Sequence, residues 1–432
     1  MVPKAETKTV AEVVKAGLCV GCGTCVSLCP AAAVSVSVDK NLGVYLAGID
    51  SSKCKRCSLC CKVCPGVSVN FKELSSIECP KQTKSLNNIL LGNYVNCYVG
   101  YSTDPVVRFD SSSGGVITQL LILALEEGLI DGALVTRMRK DKPLEPEPFI
   151  AKTKTEILEA SKSKYCPVPT NIALKEILMN GGRYAFVGLP CHIHGLRKAQ
   201  KLNVKLRDRV VFSIGLFCSH DDSFYSTRYL LNRFKVKPSN VTKISYRGKG
   251  WPGVLCIEQK SGINVECAFH DWIRLHEYCF FTPDRCLVCC DHAAELADIS
   301  AGDAWLPKFS RDSFGTSVCI SRTKKGEELL QLAKAQRQIS ISSIDSSDVI
   351  KSQGNMRFKK NGFPVRRLIF RMLGKSVPSY DSKFPKTGFA EVPRSAIIFA
   401  NRMLASKIHS SNGLDTLMLL QGGLKKLYSS TT

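Results

Sequence analysis

Small or β-branched residues alternate with polar ones over residues 33–38, and a similar pattern returns over 44–49; together they predict a short β-hairpin. From about residue 92 the texture changes. The longest apolar run, residues 116–125, opens a helix predicted over 116–127 and stopped at Gly128. Residues 130–135, 184–188 and 210–217 read as buried strands, and 154–162 as a helix. Near the C-terminus, 365–373 and 395–407 read as short amphipathic helices with basic faces. The pattern predicts an α+β chain in three parts. These are a small unit over 1–84 closed by a linker at 79–84, a mixed α/β domain over 92–345, and a basic helical extension over 346–432.

The chain has 432 residues, 44% apolar and 22% charged, which is a globular composition rather than a disordered or fibrous one. Residues 1–17 are polar and charged, with no apolar core of a secretory signal, and no run of 18 apolar residues occurs. The expectation is a cytoplasmic, reduced protein without a membrane span. Its 21 cysteines then point to metal rather than disulfides. Nine of them lie between Cys19 and Cys64. Cys19, Cys22, Cys25 and Cys29 follow C-x2-C-x2-C-x3-C and precede Pro30; Cys54, Cys57, Cys60 and Cys64 repeat that spacing and precede Pro65. This is the two-cluster bacterial ferredoxin pattern, in which the fourth cysteine of each run serves the other cluster. One 4Fe–4S cluster is therefore expected on Cys19, Cys22, Cys25 and Cys64, and a second on Cys54, Cys57, Cys60 and Cys29. Zinc is the competing occupant, but a zinc site has no use for the third cysteine and proline of each run. Cys61, Cys79 and Cys97 fall outside ligand spacing and read as buried small hydrophobes.

In the α/β part, Ser111-Ser112-Ser113-Gly114-Gly115 precedes the 116–127 helix. Such a turn offers free backbone N–H groups to a phosphate, or serves as an ordinary N-cap. Neither the G-x-G-x-x-G nor the P-loop fingerprint occurs. Cys191 and Cys218 end successive predicted strands, where open α/β sheets place ligands, and Cys286 and Cys289 form a C-x2-C pair. Spacing alone leaves open whether these four form a thiolate set or are two buried thiols and an unpaired doublet.

Residues 95–345 carry several separated motifs: Ser112-Ser113-Gly114-Gly115, Lys162-Ser163-Lys164-Tyr165, Gly188-Leu189-Pro190-Cys191, Gly195-Leu196-Arg197, and Gly215-Leu216-Phe217-Cys218. The last runs from Cys286-x-x-Cys289 through Ala294-Glu295-Leu296-Ala297-Asp298 to Asp303. In that order they resemble the beta-subunit family of coenzyme F420 hydrogenases and dehydrogenases. The plant 7-hydroxymethyl chlorophyll reductase is similar to the same family, so the scaffold alone does not set the substrate. The resemblance implies a non-Rossmann FAD-binding domain with a third 4Fe–4S cluster on Cys191, Cys218, Cys286 and Cys289. It implies FAD contacts at Ser112, Ser113, Gly114, Gly115, Lys164 and Tyr165, extending to residues 246–250 (Tyr-Arg-Gly-Lys-Gly). His192, where glutamine is common, and Gly302-Asp303-Ala304-Trp305, in place of a more glycine-rich turn, depart from the family pattern.

The implied chemistry is hydride exchange between reduced coenzyme F420 and FAD, with electrons leaving singly through clusters to a redox partner protein or ferredoxin. Lys164, with Lys249 second, is the candidate cation beside the flavin, against the reading of a solvated lysine. His192 and His194 are candidate donors, against the reading of groups that merely orient a ligand-bearing helix. A different reducible substrate, such as a tetrapyrrole or cell-surface metabolite, and a non-catalytic electron-transfer protein are the alternatives. The net charge is +23, and residues 351–432 hold 15 Lys/Arg against 3 Asp/Glu, or +12. Such a tail suits an acidic partner, a larger hydrogenase or dehydrogenase complex, the inner face of a membrane, an anionic substrate, or a solvated surface. No nucleic-acid motif accompanies the charge.

Overall fold

The structure is a computed structural model describing residues 9–75, 86–388 and 391–405. The N-terminal unit contains the expected hairpin, β1 (Val34–Asp39) antiparallel to β2 (Val44–Ile49), with a short helix Thr24–Ser27 before it and a second, Leu59–Lys62, after it. Each short helix carries the third cysteine of its run. A two-residue strand, β3 (Ser68–Val69), ends the unit. The expected linker at 79–84, with Cys79, lies outside the described residues.

An eight-stranded mixed sheet forms the centre of the molecule. In chain order its first five strands are β4 (Asn96–Ser102), β5 (Gly132–Met138), β6 (Pro146–Ala151), β7 (Tyr184–Gly188) and β8 (Val210–Leu216). A small separate sheet interrupts them, an antiparallel meander of β9 (Val241–Ser245), β10 (Val254–Gln259) and β11 (Val265–Ala268). The large sheet then resumes with β12 (Ile299–Asp303), β13 (Ser317–Ser321) and β14 (Ile339–Ser343), and β15 (Ser379–Tyr380) comes last. The large sheet has the order β14-β4-β13-β12-β8-β7-β5-β6. Strands β12, β8, β7 and β5 are mutually parallel. Strand β4 is antiparallel to β13, itself antiparallel to β12, so β4 also ends on their carboxyl edge.

The sheet's side chains alternate between two cores. Ala133 and Val135 of β5 face the helices Val116–Glu126 and Lys324–Ala335, whereas Leu134 faces the helix Pro190–Leu202. That second core also takes Leu28, Val63, Val69 and Leu74 from the cysteine-rich unit, which is thereby fixed against the α/β domain. Polar contacts set its position. Asn171 N–H donates to the Cys22 carbonyl (2.8 Å), Asn171 Nδ2 to Thr24 Oγ1 (2.8 Å), and Lys198 Nζ to the carbonyls of Cys64 (2.7 Å) and Ser68 (2.9 Å).

Asp298 holds the sheet's centre. It is fully buried and accepts from Ser213 N–H (2.8 Å), Ser213 Oγ (2.9 Å), Arg197 Nη2 (3.0 Å) and Thr323 Oγ1 (2.9 Å). Burial opposes its charge, but Arg197, Lys325 and the Ser213 hydrogen bonds outweigh it and hold the carboxyl below the usual range. Because the folded pKa is depressed, this contribution is complete above the ordinary carboxylate pKa and is lost as pH falls through the folded value. Asp298→Asn is expected to cost about 3–5 kcal/mol at pH 7 and to shrink the acid-side loss of Tm, measured by thermal melts between pH 3 and 7.

The C-terminal extension is helical as expected, over Gly354–Asn361, Phe363–Met372 and Glu391–Ala405; residues 406 and 407 of the expected last helix lie outside the described residues. It is not simply a solvated basic face. Lys359, Lys360 and Arg366 are buried, and Lys360 Nζ pairs with Glu295 Oε1 at 2.5 Å. Among the described residues no helix is long and apolar enough to cross a membrane.

Candidate functional site

The carboxyl edge of the parallel strands collects the chemistry. Cys191 occupies the first turn of the helix that follows β7, and Cys218 lies two residues beyond β8. The helix Asp284–Leu287 and the turn after it bring Cys286 and Cys289 to the same place. All four line one cleft, whose empty volume is about 810 Å³ with its open mouth included. Burial pushes the Cys191 thiol well up, and negative charge on Cys218, Cys22, Cys286 and Cys289 adds to the rise. Cys286 is pushed up to about 12, by burial first and Asp221 second. Four half-buried, mutually repelling sulfurs are stable as thiolates only around a cationic centre, and that donor set fits an iron–sulfur cluster.

The same cleft is walled on its other side by Cys19, Val20, Gly21 and Pro65 of the N-terminal unit. Behind that wall, a second hollow is lined by Cys19, Cys22, Cys25 and Cys64 together. Burial lifts the Cys25 thiol, and Cys22, Cys64 and Cys19 raise it further. The structure thus brings the first expected ligand set together around one hollow. The second set lies outward: Cys60 is buried, Cys54 and Cys29 are half-buried and Cys57 is exposed. Cys61 is half-buried next to Cys60 and packs within the core of the unit. Cys97 is buried in β4, among the core side chains.

Away from that cleft, the Ser/Gly turn, Tyr165 and residues 246–250 meet in one polar and aromatic cluster. Gly115 is left-handed (φ 74°) and caps the 116–126 helix, while Gly114 N–H donates to Ser317 Oγ (2.9 Å). A Cβ at Gly114 would stand 2.5 Å from the Gly100 carbonyl, so the close turn needs glycine. Ser112 Oγ accepts from Ser163 N–H (2.7 Å), and Ser113 Oγ donates to the Thr316 carbonyl (3.0 Å). Arg247, 1% exposed, reaches across: its guanidinium donates to the Ser112 carbonyl, to Tyr165 Oη (3.3 Å) and to Asp303 Oδ1 (3.0 Å). Its Nε, buried, has no partner. Trp251 Nε1 also donates to Asp303 (2.7 Å), and the Trp251 and Trp305 rings lie 4.5 Å apart. An orphaned buried donor beside flat aromatic walls and a glycine-lined helix N-terminus fits a planar, phosphate-bearing group such as FAD.

The expected catalytic residues sit differently. Lys164 is neither solvated nor free to face a flavin: its ammonium donates to the carbonyls of Ala160 (2.6 Å), Ser161 (2.8 Å) and Lys162 (2.9 Å), closing the end of the helix Lys154–Glu159. Burial drives its pKa down to about 7. Lys249 is solvated and paired with Glu266. His192 lines the cleft, but Nδ1 accepts from Leu189 N–H (3.2 Å), so Nε2 carries the proton and donates to the Val168 carbonyl (3.1 Å). Burial lowers its pKa to about 4, so the ring is a neutral brace whose one N–H is committed to the Val168 carbonyl. His194 is paired with buried Asp291 (2.8 Å). Arg247, the neighbour of the favoured Lys249 in the same five residues, is the side chain that the cluster uses.

This cluster is a neighbour of the cysteine cleft. Tyr165 stands edge-on to His276 (5.4 Å), His276 Nδ1 bonds Asp222 (3.1 Å), and the adjacent Asp221 lines the cysteine cleft, as do Pro167 and Val168.

Comparison with known proteins identifies the family. Two stretches match the family described as “Coenzyme F420 hydrogenase/dehydrogenase, beta subunit”, residues 97–175 its N-terminal part and residues 181–347 its C-terminal part. Residues 12–35 match “4Fe-4S binding domain”, which covers the first cysteine run. The beta subunit of a coenzyme F420 hydrogenase from Methanosarcina barkeri is 31% identical over 286 residues, spanning 63% of this chain and 91% of the relative. The chain belongs to the coenzyme F420 hydrogenase/dehydrogenase beta-subunit family. Two further relatives extend the match. A coenzyme F420-dependent sulfite reductase of Methanocaldococcus jannaschii is 28% identical over 81% of this chain and 51% of its own length. One of the subunits of the F(420)H(2) dehydrogenase of Methanosarcina mazei is 26% identical over 76% of this chain and 86% of its own length. The matched family segments stop at residue 347, so Lys359 and Tyr380, which both line the cysteine cleft, come from beyond them.

Proposed function

We propose that this family member is an F420-linked iron–sulfur oxidoreductase that moves electrons between reduced coenzyme F420 and a one-electron acceptor. The observation that carries the reading is the shared cleft. Its four thiols share one cleft with Cys19, which also lines the hollow of Cys22, Cys25 and Cys64. Cys191, Cys218, Cys286 and Cys289 would hold one 4Fe–4S cluster, with two more on the ferredoxin-type sets. FAD would lie on the Ser112–Gly115 turn beside Tyr165, with Arg247 as the cation that favours an anionic reduced ring. Bound there, FAD exchanges a hydride with a deazaflavin and single electrons with clusters.

This chain's residues order and insulate the route. His192 and His194 brace the helix that bears Cys191, and Asn171 locks the Cys22 loop against that helix. Exposed Cys57 makes its set the natural exit. The exposed Lys55 and Arg56 beside it suit an acidic electron carrier. The relatives from M. barkeri and M. mazei are named as subunits, which supports work within a larger assembly.

Anaerobically reconstituted protein is expected to carry about 12 Fe per chain and one flavin, and reduced coenzyme F420 should bleach the flavin absorbance. Protein that binds no flavin would end the oxidoreductase reading. Flavin present but unbleached would move the chain to another reducible substrate on the same scaffold.

A further inference from the structure

We infer that Lys359, in the extension beyond the matched family segments, sets the reduction potential of the inner cluster; this rests on the reading that Cys191, Cys218, Cys286 and Cys289 hold one. The helix Gly354–Asn361 delivers the lysine into the cleft, where it is 2% exposed. Its ammonium donates to the Asp291 carbonyl (3.3 Å), whose oxygen also stands 3.6 Å from the Cys289 sulfur. An ammonium so placed shares one cleft with Cys191, Cys218, Cys286 and Cys289.

A cluster on four thiolates is an anion, and reduction adds one more negative charge to it. A fixed ammonium in the same cleft therefore favours the reduced form over the oxidised one. The other cation lining the cleft, Arg285, is turned away. Its guanidinium donates to the carbonyls of Gly66 (3.2 Å), Pro65 (3.3 Å) and Val288 (3.3 Å) and to Tyr380 Oη (3.0 Å). Tyr380 lies on β15, which pairs with β3 of the N-terminal unit. The extension thus closes the cleft with one residue and clips the ferredoxin-type unit to it with another.

The test is a redox titration of anaerobically reconstituted protein, followed by EPR, with the inner signal assigned as the one that Cys286→Ser removes. Lys359→Gln, which keeps a donor and loses the charge, is expected to shift the inner oxidised-to-reduced ratio at least about tenfold toward oxidised. That is ~59 mV lower for a one-electron couple. The ferredoxin-type signals should stay in place, and Lys359→Arg should stay near wild type. An unmoved inner potential at full iron content overturns the inference. Where Lys359→Gln loses the inner iron, Lys359→Arg decides: retention there supports the charge, and loss in both overturns it. Wild-type protein with only about 8 Fe and ferredoxin-type signals alone would instead sink the inner-cluster reading itself.

Discussion

Cys286→Ser should take the reconstituted chain from about 12 to about 8 Fe atoms and leave the ferredoxin-type EPR signals intact. The reason is geometric. Cys286 lines the cleft with Asp221 and Cys289, and among the described residues no other thiol lines it except Cys191, Cys218 and, on the far wall, Cys19. Cys290, next in sequence to Cys289, is fully buried beside Lys360 and Glu295 and cannot replace it. Outer groups around a metal site already cost 10–100-fold when removed. Loss of a ligand should therefore lower F420-dependent reduction of a one-electron acceptor at least about a hundredfold. Flavin bleaching by reduced coenzyme F420 should survive, because the Arg247 cluster is separate. Cys290→Ser is the control and should keep the full iron content. An unchanged iron count in Cys286→Ser would remove Cys286 from the ligand set.

How much of this was legible follows from the range of each interaction. The N-terminal cysteines declare themselves because three ligands of each set lie within seven residues, and the hairpin between the runs needs only local alternation. The inner set is harder. Cys191 and Cys218 are single residues 27 positions apart in the chain, and only the parallel pairing of β7 with β8 makes them neighbours. Family motifs, not spacing, pointed to them. The cations are hard to place for a related reason. A lysine beside a glycine turn looks available, yet Lys164 is turned back on its own helix end and Lys249 toward Glu266. Arg247 finds its partners 56 and 135 residues away, and Lys359 finds the Asp291 carbonyl 68 residues away. Pairings of that range leave no periodic trace. The basic tail shows the same limit: its composition is that of a solvated face, but Lys359, Lys360 and Arg366 turn inward to the cysteine cleft, a carboxylate and carbonyls.

Arg247→Met should abolish the proposed flavin binding and destabilise the fold, whereas Lys249→Ala, two residues on, should do neither. Arg247 is buried, stacked 4.3 Å over Phe269, and joins the Ser112 turn, Tyr165 and Asp303 through one planar fork. Removing one member of a buried pair costs about 3–5 kcal/mol because the partner charge is left unpaired. The Asp303 carboxylate is 21% exposed and keeps the Trp251 donor, so the loss should fall near the lower end, about 3 kcal/mol. Lys249 holds only a surface pair, which is worth about 0–1 kcal/mol. Arg247→Lys keeps the charge without the fork and should recover part of the stability but little of the flavin. Thermal melts give the stability, and released flavin measured against iron content gives the occupancy. A folded Arg247→Met protein that keeps full iron and full flavin would show that the cation of this site lies elsewhere. Flavin lost at full iron content would instead tie the flavin to Arg247 and leave the clusters to their own cysteines.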